Sequence, residues 1–492
     1  MGSRGGRTRQ GALTSRASAP ATWVHAALLV FLLGVAGRGR AAPADAAKPS
    51  ELPADPVLEG LIDQSLAALP ELAGARATAK AERERVPQAG ALPDPMLQLG
   101  VQNDGFTSWQ VGKMETSWYS IMASQTFPWP GKPRLRSEVA EFAAGRADQT
   151  TARLRLSTEA NVRRAYLDLL LARDRLALLD RLEAISQKSV TVARTRYEAG
   201  TGAQSDVLRA QLELNRIKQR RWTIQVQVDT AQQALNRLRG HSLDEPIETP
   251  VHLADLSLPP LPDDASAIQD ALDRSPELVA TRLGVTEGER SLSLARKSYL
   301  PDFTVSAGVM PRGGVFPPMW LVSVGGTLPV FASSKQSRAV VENEARVAAG
   351  TSNVQALEQV LRLRARQRST ALRATLETIH LYRDGLLVQS EATAESTRSQ
   401  YEVGKVTFAS VLEANAGFIA DEDGYLQVLI QAQALAIDAA EVNLAPPQTL
   451  GAAMGAVAVP GAAAMDLSTP SSGSGSTVPS SAAGTSASMS SM

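Results

Sequence analysis

The chain has 492 residues with 50 basic and 50 acidic side chains, so its formal net charge is zero and a basic nucleic-acid-binding surface is not indicated. It has no cysteine, which excludes thiol catalysis, disulfides, iron–sulfur ligation and a lipid anchor on a mature N-terminal cysteine. The four histidines are scattered along the chain, so no His-ligated metal centre is predicted.

The first 44 residues have the pattern of an export signal. Several arginines precede an apolar stretch at 24–36, and small-residue cleavage sites follow at 42–44 and 44–46. The apolar stretch is 13 residues long, which is short for a spanning helix, although an uncleaved membrane anchor is an alternative. We therefore predict a signal peptide over 1–44 and a mature chain outside the cytoplasm.

Two colinear copies of one unit follow, predicted at 54–250 and 264–447. Four pairs of segments carry the duplication: "LPEL" at 69 and "SPEL" at 275, "LPD" at 92 and at 300, "TFP" at 126 and "TLP" at 327, and "RYEAGTGAQSDVLRAQ" at 196 and "QYEVGKVTFASVLEAN" at 400. The proline-rich segment 251–263 is predicted to link the copies. The segment 451–492 is rich in Gly, Ala, Ser and Thr and is predicted to be a disordered tail.

Each copy is predicted to contain a helix and then two short strands, near 95–103 and 117–127 in the first copy and near 301–310 and 319–328 in the second. Apolar residues alternate there with small or polar ones, as in a strand between lipid and water, and equally as in a half-buried soluble sandwich. Tryptophans in or beside the strands predict an aromatic girdle at a membrane interface: Trp109, Trp118, Trp129 and Trp320.

A long helix follows the strands in each copy, predicted over 132–199 and 334–403, because neither range has a proline beyond its first turn. At 1.5 Å per residue each would be about 100 Å long. After a glycine turn a shorter helix returns, predicted over 204–239 and 407–446, the first with apolar residues at heptad spacing. Four strands would leave open edges in lipid, so the chain must oligomerise if the strands are transmembrane.

With these features the chain resembles the outer-membrane efflux protein (TolC) family. The resemblance rests on the duplicated unit, the "YEAG" and "YEVG" turns, and "SQTFPWPGK" leading from strand into helix. It implies a mixed α/β membrane protein and a homotrimer, in which four transmembrane strands per protomer complete a twelve-stranded barrel in the outer membrane. A long periplasmic α-helical barrel would continue it, and "QTFPWPGK" resembles the heavy-metal cation efflux branch.

The function implied by the resemblance is passive conduction in a tripartite efflux system, supplied by a periplasmic adaptor and an inner-membrane RND or ABC pump. No enzyme activity and no cofactor are expected, because no Ser–His–Asp spacing, P-loop or HExxH motif is present. The exit duct of a type I protein secretion system is an alternative with the same fold. A periplasmic coiled-coil scaffold without a pore is an alternative of another class.

The resemblance also assigns roles to residues at the two glycine turns, which would lie at the periplasmic tip. Positions expected to dock the adaptor, with the same surface in both copies, are Gly200, Val207, Leu208, Gly404, Val411 and Leu412. Positions expected to form a periplasmic gate are Asp206, Tyr401, Ser410 and Glu413. Val406 replaces the arginine that would complete this gate cluster, so a lightly latched tip is expected.

Overall fold

The computed structural model describes residues 55–314 and 316–447, so the predicted signal peptide and the predicted tail lie outside the described residues. The first copy consists of α1 (Pro56–Ala68), α2 (Pro70–Gly90), β1 (Met96–Gln102), β2 (Trp118–Phe127), α3 (Lys132–Glu198) and α4 (Gln204–Leu238). The second consists of α5 (Asp264–Arg274), α6 (Pro276–Lys297), β3 (Phe303–Met310), β4 (Met319–Gly326), α7 (Gln336–Leu381), a π-helical segment (Tyr382–Leu386), α8 (Leu387–Glu402) and α9 (Phe408–Ala440). Among the helices of residues 55–447, none combines the length and the apolar character that crossing a bilayer requires.

Two helices, where one is predicted, precede the strands in each copy. Pro70 and Pro276 each occupy the first position of a new helix, where the missing N–H of proline costs no hydrogen bond. Side chains cap three of the four helix starts: Asp55 accepts from the N–H of Val57 at 2.9 Å, Asp263 accepts from the N–H of Ala265 at 3.1 Å, and Ser275 accepts from the N–H of Leu278 at 3.2 Å. Proline therefore divides the predicted helix at a fixed point in both copies.

The four strands form one antiparallel sheet in the order β1-β2-β3-β4. The two copies meet in its centre, where β2 pairs with β3. Strands β1 and β4 have one neighbour each, so the outer edge of each is unpaired within residues 55–447.

The register gives the sheet two different faces, since directly opposite residues share a face. One face is almost wholly apolar and consists of Leu97, Leu99, Val101, Tyr119, Ile121, Ala123, Gln125, Phe127, Phe303, Val305, Ala307, Val309, Trp320, Val322, Val324 and Gly326. The other face is mainly small or polar and consists of Met96, Gln98, Gly100, Gln102, Trp118, Ser120, Met122, Ser124, Thr126, Thr304, Ser306, Gly308, Met310, Met319, Leu321, Ser323 and Gly325. Most side chains of the apolar face are exposed in the protomer.

A buried ion pair joins the copies where the sheet meets the long helices. The Nζ atom of Lys132 donates to Oδ1 of Asp302 at 2.8 Å and to the carbonyl oxygen of Leu300 at 2.7 Å. The same carboxylate oxygen accepts from the N–H of Trp129 at 2.8 Å. Burial by itself would raise the pKa of Asp302, but these donors hold it below its ordinary value. The motif "FPWPGK" of one copy is thereby bonded to "LPD" of the other.

The second long helix differs from the uninterrupted helix predicted over 334–403. The first, α3, is continuous over 67 residues, whereas the second is divided by the π-helical segment between α7 and α8. Here the ring of Tyr382 lies against α9, with its centroid 6.3 Å from that of Tyr425. A Cβ on Gly424 would lie 2.6 Å from the Tyr382 hydroxyl, so the glycine makes room for this ring.

The second returning helix ends at Ala440, earlier than the predicted 446. Val442 takes the left-handed conformation, with φ of 54°, and the N–H of Asn443 bonds back to the carbonyl of Asp438 at 3.0 Å. A valine in this conformation is strained. Its side chain is buried among Leu278 and Leu361, which compensates for the strain.

The main hydrophobic core lies between α3, α4, α7 and α9, and the connecting segment is part of it. Ile247 and Leu253 are buried there, and Gln433 donates to the carbonyl of Ser257 at 2.8 Å. The predicted linker 251–263 is thus packed against the helices and includes a 3-10 turn at Leu253–Asp255.

An ion network closes this region around the C-terminal end of α9. Arg153 donates to the backbone and side chain of Glu441, at 2.8 and 3.0 Å, and pairs with Glu277 at 2.7 Å. Arg164 bonds to Glu441 and, at 2.6 Å, to Asp438. Helices from both copies are thereby joined through a single buried carboxylate.

Candidate functional site: the two helical hairpin tips

The two glycine turns have the same backbone geometry. In the first, Gly200 has φ of 72°, its N–H donates to the carbonyl of Tyr197, and the next residue, Thr201, donates to Arg196. In the second, Gly404 has φ of 79° and the equivalent two bonds run from residues 404 and 405 to residues 401 and 400. This is the Schellman arrangement, which favours glycine because its left-handed residue has no Cβ to clash. The repeated motif therefore ends α3 and α8 in the same way.

The two hairpins are packed against each other through a small apolar cluster. Its buried members are Ala193 and Ala210 from the first hairpin and Tyr401, Phe408 and Val411 from the second. The rings of Tyr401 and Phe408 have centroids 5.3 Å apart. The tip of the protomer is thus one packed unit that includes both copies.

An arginine that the sequence reasoning missed completes this unit. The guanidinium carbon of Arg196 lies 4.7 Å from the centroid of the Tyr401 ring, and the Nη1 atom donates to the Tyr401 carbonyl oxygen. A guanidinium over an aromatic face is attracted by the ring quadrupole, more strongly where water is excluded. The lightly latched tip expected from Val406 stays a prediction, and Arg196 adds to the tip a guanidinium that comes from the first hairpin.

The gate pair predicted from the resemblance is present but weak. The hydroxyl of Tyr401 donates to Oδ2 of Asp206 at 3.5 Å, which is the limit of a hydrogen bond. Burial raises the pKa of the Tyr401 phenol, and the negative charge of Asp206 raises it further, while Arg196 lowers it. The phenol is therefore neutral and able to donate.

The two other predicted gate residues lie on the first turns of α9. Ser410 is half-buried, its N–H is bonded to Thr407, and its hydroxyl lies 3.2 Å from that of Thr407. Glu413 is exposed and has no ion pair among the described residues. Its charge is available to the solvent around the tip.

The predicted docking residues do not form the same surface in both copies, which corrects that expectation. Val411 is 1% exposed and lies inside the hairpin cluster, whereas its counterpart Val207 is half-buried. Leu208 is 59% exposed, whereas its counterpart Leu412 is half-buried against the cluster. The glycines of both turns are exposed, so only the turns themselves are equivalent.

The tryptophans of the predicted girdle lie at both ends of the sheet. Trp109 and Trp320 are exposed at the end remote from the helices, and Trp109 is 6.2 Å from the ring of Tyr119. Trp129 lies at the helix end, 5.6 Å from the ring of Phe303. Trp118 is opposite Gln102 on the polar face, so it does not belong to an aromatic band on the apolar face. Tyr119 takes that position instead.

The comparison with known families gives one match that covers most of the described chain. The family described as "Outer membrane efflux protein" matches residues 61–241 and 267–444, so both copies are included. The "Cobalt-zinc-cadmium resistance protein CzcC" of Cupriavidus metallidurans is 24% identical over 346 residues, which are 70% of this chain and 79% of that protein. The "Nickel and cobalt resistance protein CnrC" of the same organism is 27% identical over 310 residues, 62% of this chain and 72% of that protein.

Solved structures with the same fold include CusC, described as forming a transmembrane channel, and an outer membrane protein of Vibrio cholerae. The structure of CusC matches with a TM-score of 0.69 at 17% sequence identity. The match covers 80% of this chain and 92% of the CusC chain. The outer membrane protein VceC of Vibrio cholerae matches with a TM-score of 0.66 at 19% sequence identity. The match covers 79% of this chain and 96% of the VceC chain. These likenesses establish the fold.

Proposed function

The chain belongs to the outer membrane efflux protein family, and we propose that it is the channel subunit through which a tripartite exporter passes its cargo across the outer membrane. The observation that supports this most directly is the sheet with one apolar and one mainly polar face. A sheet with lipid outside and water inside needs these two faces. Long helices attached to one end of it continue the water-filled path away from the membrane.

The channel is proposed to be a homotrimer, with three four-stranded sheets closing a twelve-stranded barrel. Lipid supports only structures without open sheet edges, and one protomer has two of them. The aromatic residues at both ends of the sheet are separated by about eight residues, or roughly 26 Å along the strand at 3.3 Å per residue. At the usual strand tilt of about 40° this is roughly 20 Å along the membrane normal, of the same order as the apolar band of about 25 Å in such barrels. The lengths of the strands are therefore suited to the outer membrane.

The hairpin tips are proposed to be the end at which a periplasmic adaptor binds. The exposed turns around Gly200 and Gly404 are the parts that the two copies share, and the apolar side chain of Val403 is exposed beside the second turn. Val207, Leu208 and Leu412 flank these turns. The buried Val411 would support the surface from within.

The proposed cargo is divalent transition-metal cations delivered by an inner-membrane pump of the RND or ABC type. The names of the relatives CzcC and CnrC refer to resistance to cobalt, zinc, cadmium and nickel, and this supports the same class of cargo here. The exposed carboxylate of Glu413, repeated in each protomer, would favour cations at the tip. Chemistry at the channel is not required, since the pump supplies the energy.

The test is metal efflux in a host without its own outer-membrane channel, carrying an adaptor and a pump from the organism that encodes this chain. The wild-type chain is expected to restore growth in Co²⁺, Zn²⁺, Cd²⁺ or Ni²⁺ and to lower the metal content of the cell. Val403→Asp is expected to abolish this while the protein remains in the outer membrane. The matched control is Leu243→Asp, which places the same charge on an exposed leucine far from the tips.

Two results would contradict the proposal. A product found in the soluble periplasmic fraction would favour the coiled-coil scaffold. An unchanged metal content, with secretion of a protein substrate dependent on this chain, would favour the exit duct of a type I secretion system.

A further inference from the structure

A cavity lies where the segment that connects the two copies crosses the helices of the second copy, away from the sheet and from the hairpin tips. Its volume is about 160 Å³. Prolines of the connecting segment and alanines of α5, α7 and α9 form most of its wall, and Leu372 and Leu435 complete the apolar lining. The cavity is therefore a mainly apolar space enclosed by four parts of the chain.

One charged side chain of the lining is almost wholly buried. Arg368 of α7 is 5% exposed, and its Nε and Nη2 atoms have no hydrogen-bond partner. No ion pair joins it to another residue within 55–447. A buried guanidinium without a partner retains the cost of its removal from water, and native structures rarely leave such a group unexplained.

The carboxylates whose charge reaches Arg368 are bound by other arginines. Arg164 binds both Asp438 and Glu441, and Arg153 binds Glu441 as well. Burial lowers the pKa of Arg368, and the negative charges of Asp438 and Glu441 offset this only in part. A guanidinium nevertheless stays protonated in proteins, so the cation at the cavity is permanent.

The other charged groups of the lining do not neutralise this cation. Asp270 and Arg274 of α5 also line the cavity, but both are exposed and their charges are opposite. Arg274 donates to the carbonyl oxygen of Ala440 at 3.2 Å, and the buried hydroxyl of Ser369 donates to Asp264. Two arginines and one aspartate leave a single positive charge in excess, which an occupant with one negative charge would balance.

We propose that the cavity is a binding site for a small organic monocarboxylate, whose carboxylate accepts hydrogen bonds from Arg368 and whose apolar body packs against Leu372, Leu435 and Ala436. A carboxylate matches the planar fork of donors that a guanidinium presents. Inorganic phosphate would bring more negative charge than the lining balances and no apolar surface for its walls.

The size of the cavity limits the apolar body. An apolar cavity of about 150 Å³ in another protein accommodates benzene, so a ring of that size fits a space of about 160 Å³. Benzoate therefore combines the charge and the volume that the site requires. None of the lining residues belongs to the sheet or to the hairpin tips, so this site is additional to the proposed channel function.

The test compares benzoate with benzamide, which has nearly the same shape and no charge, on the purified full-length protein in detergent. Benzoate is expected to raise the melting temperature with increasing concentration, because it binds the folded state. Benzamide and inorganic phosphate at the same concentrations and ionic strength are expected to raise it much less. Fluorine NMR of para-fluorobenzoate then gives the dissociation constant.

The variant that tests the cation is Arg368→Met, which keeps a long apolar side chain and removes the charge. It is expected to weaken the binding of para-fluorobenzoate by at least about tenfold, since the hydrogen bonds to a charged donor are lost. Without ligand it is expected to melt at a higher temperature than the wild type, because a buried unpaired charge is gone. The matched control is Arg362→Met, an exposed arginine of the same helix, which should leave the affinity unchanged.

A second variant tests the apolar part of the site without touching the cation. Ala436→Leu keeps Arg368 and fills part of the space, so it is expected to weaken benzoate binding as well. Equal stabilisation by benzoate and benzamide, or equal affinity of the wild type and Arg368→Met, would overturn the proposed role of the guanidinium.

Two other results would overturn the site or its ligand class. Stabilisation of the wild type by phosphate and not by benzoate would contradict an organic monocarboxylate. A wild-type protein that responds to none of the three compounds would contradict a binding site in this cavity. Neither result bears on the channel, which is tested separately by metal efflux.

Discussion

Replacing Arg196 by glutamine should loosen the two hairpins of the tip from each other. Glutamine is the residue that the second copy has at the equivalent position, Gln400, so the change keeps a side chain that this turn accepts. It removes the cation from the ring of Tyr401 and the charge from the donor to the Tyr401 carbonyl.

The size of the effect follows from the geometry. A guanidinium 4.7 Å from the centroid of a ring that is 4% exposed is worth about 1–2 kcal/mol. The lost charge on the hydrogen-bond donor adds about 1 kcal/mol. The sum of about 2–3 kcal/mol per protomer corresponds to a change of roughly 30- to 150-fold in the equilibrium between joined and separated hairpins.

The assay is the open fraction of single channels in planar bilayers, together with hydrogen exchange of the backbone amides near the two turns. Both should increase in Arg196→Gln. The control is Asp206→Ala, which removes a bond of 3.5 Å and should change either quantity less than about fivefold. Values for Arg196→Gln within about threefold of the wild type, or a larger effect of Asp206→Ala, would refute the reasoning.

Three further predictions concern stability and assembly. Glu441→Gln removes the charge of a buried carboxylate bound by two arginines and should lower the free energy of unfolding by about 3 kcal/mol, measured by denaturation against an exposed Glu→Gln control. The hydrogen bond to Asp174 raises the pKa of His252. The contribution of protonated His252 to folding stability is therefore fully present below a pH of about 6.5 and is lost as the pH rises through the raised pKa. The melting temperature of the wild type should fall across this pH range, and that of His252→Gln should change less. Gly308→Ala would place a Cβ 2.8 Å from a carbonyl oxygen of the adjacent strand and should reduce heat-stable trimer on gels, whereas Gly325→Ala, with open space around it, should not.

The features that the sequence predicts well are those that depend on local chemistry. The glycine turns are an example, because a Schellman turn requires a left-handed residue and two copies of "YExG" supply one. The limits of α3 are another, since Gly131 and Gly200 lie just outside a range that has no proline beyond its first turn.

The features that the sequence does not predict depend on contacts between distant segments. Arg196 meets Tyr401 only when the two hairpins pack, and the one local signal is that the copies differ at this position. The enrichment of tryptophan at membrane interfaces predicts Trp118 in the girdle, but the face on which its side chain lies depends on the register, and a shift of one position along the strand reverses that face. The burial of Val411 and the exposure of Leu208 likewise depend on which neighbour each returning helix has.

The π-helical segment between α7 and α8 affects the rotational symmetry of the tip. From α7 to α8 the second long helix has as many residues as α3, but a π-helical turn holds more residues than an α-helical one. Side chains of α8 therefore point in directions that an unbroken helix would not give them. In a closed ring of hairpins the pattern would repeat at every second hairpin, so a protein that surrounds the tip would meet two alternating kinds of site.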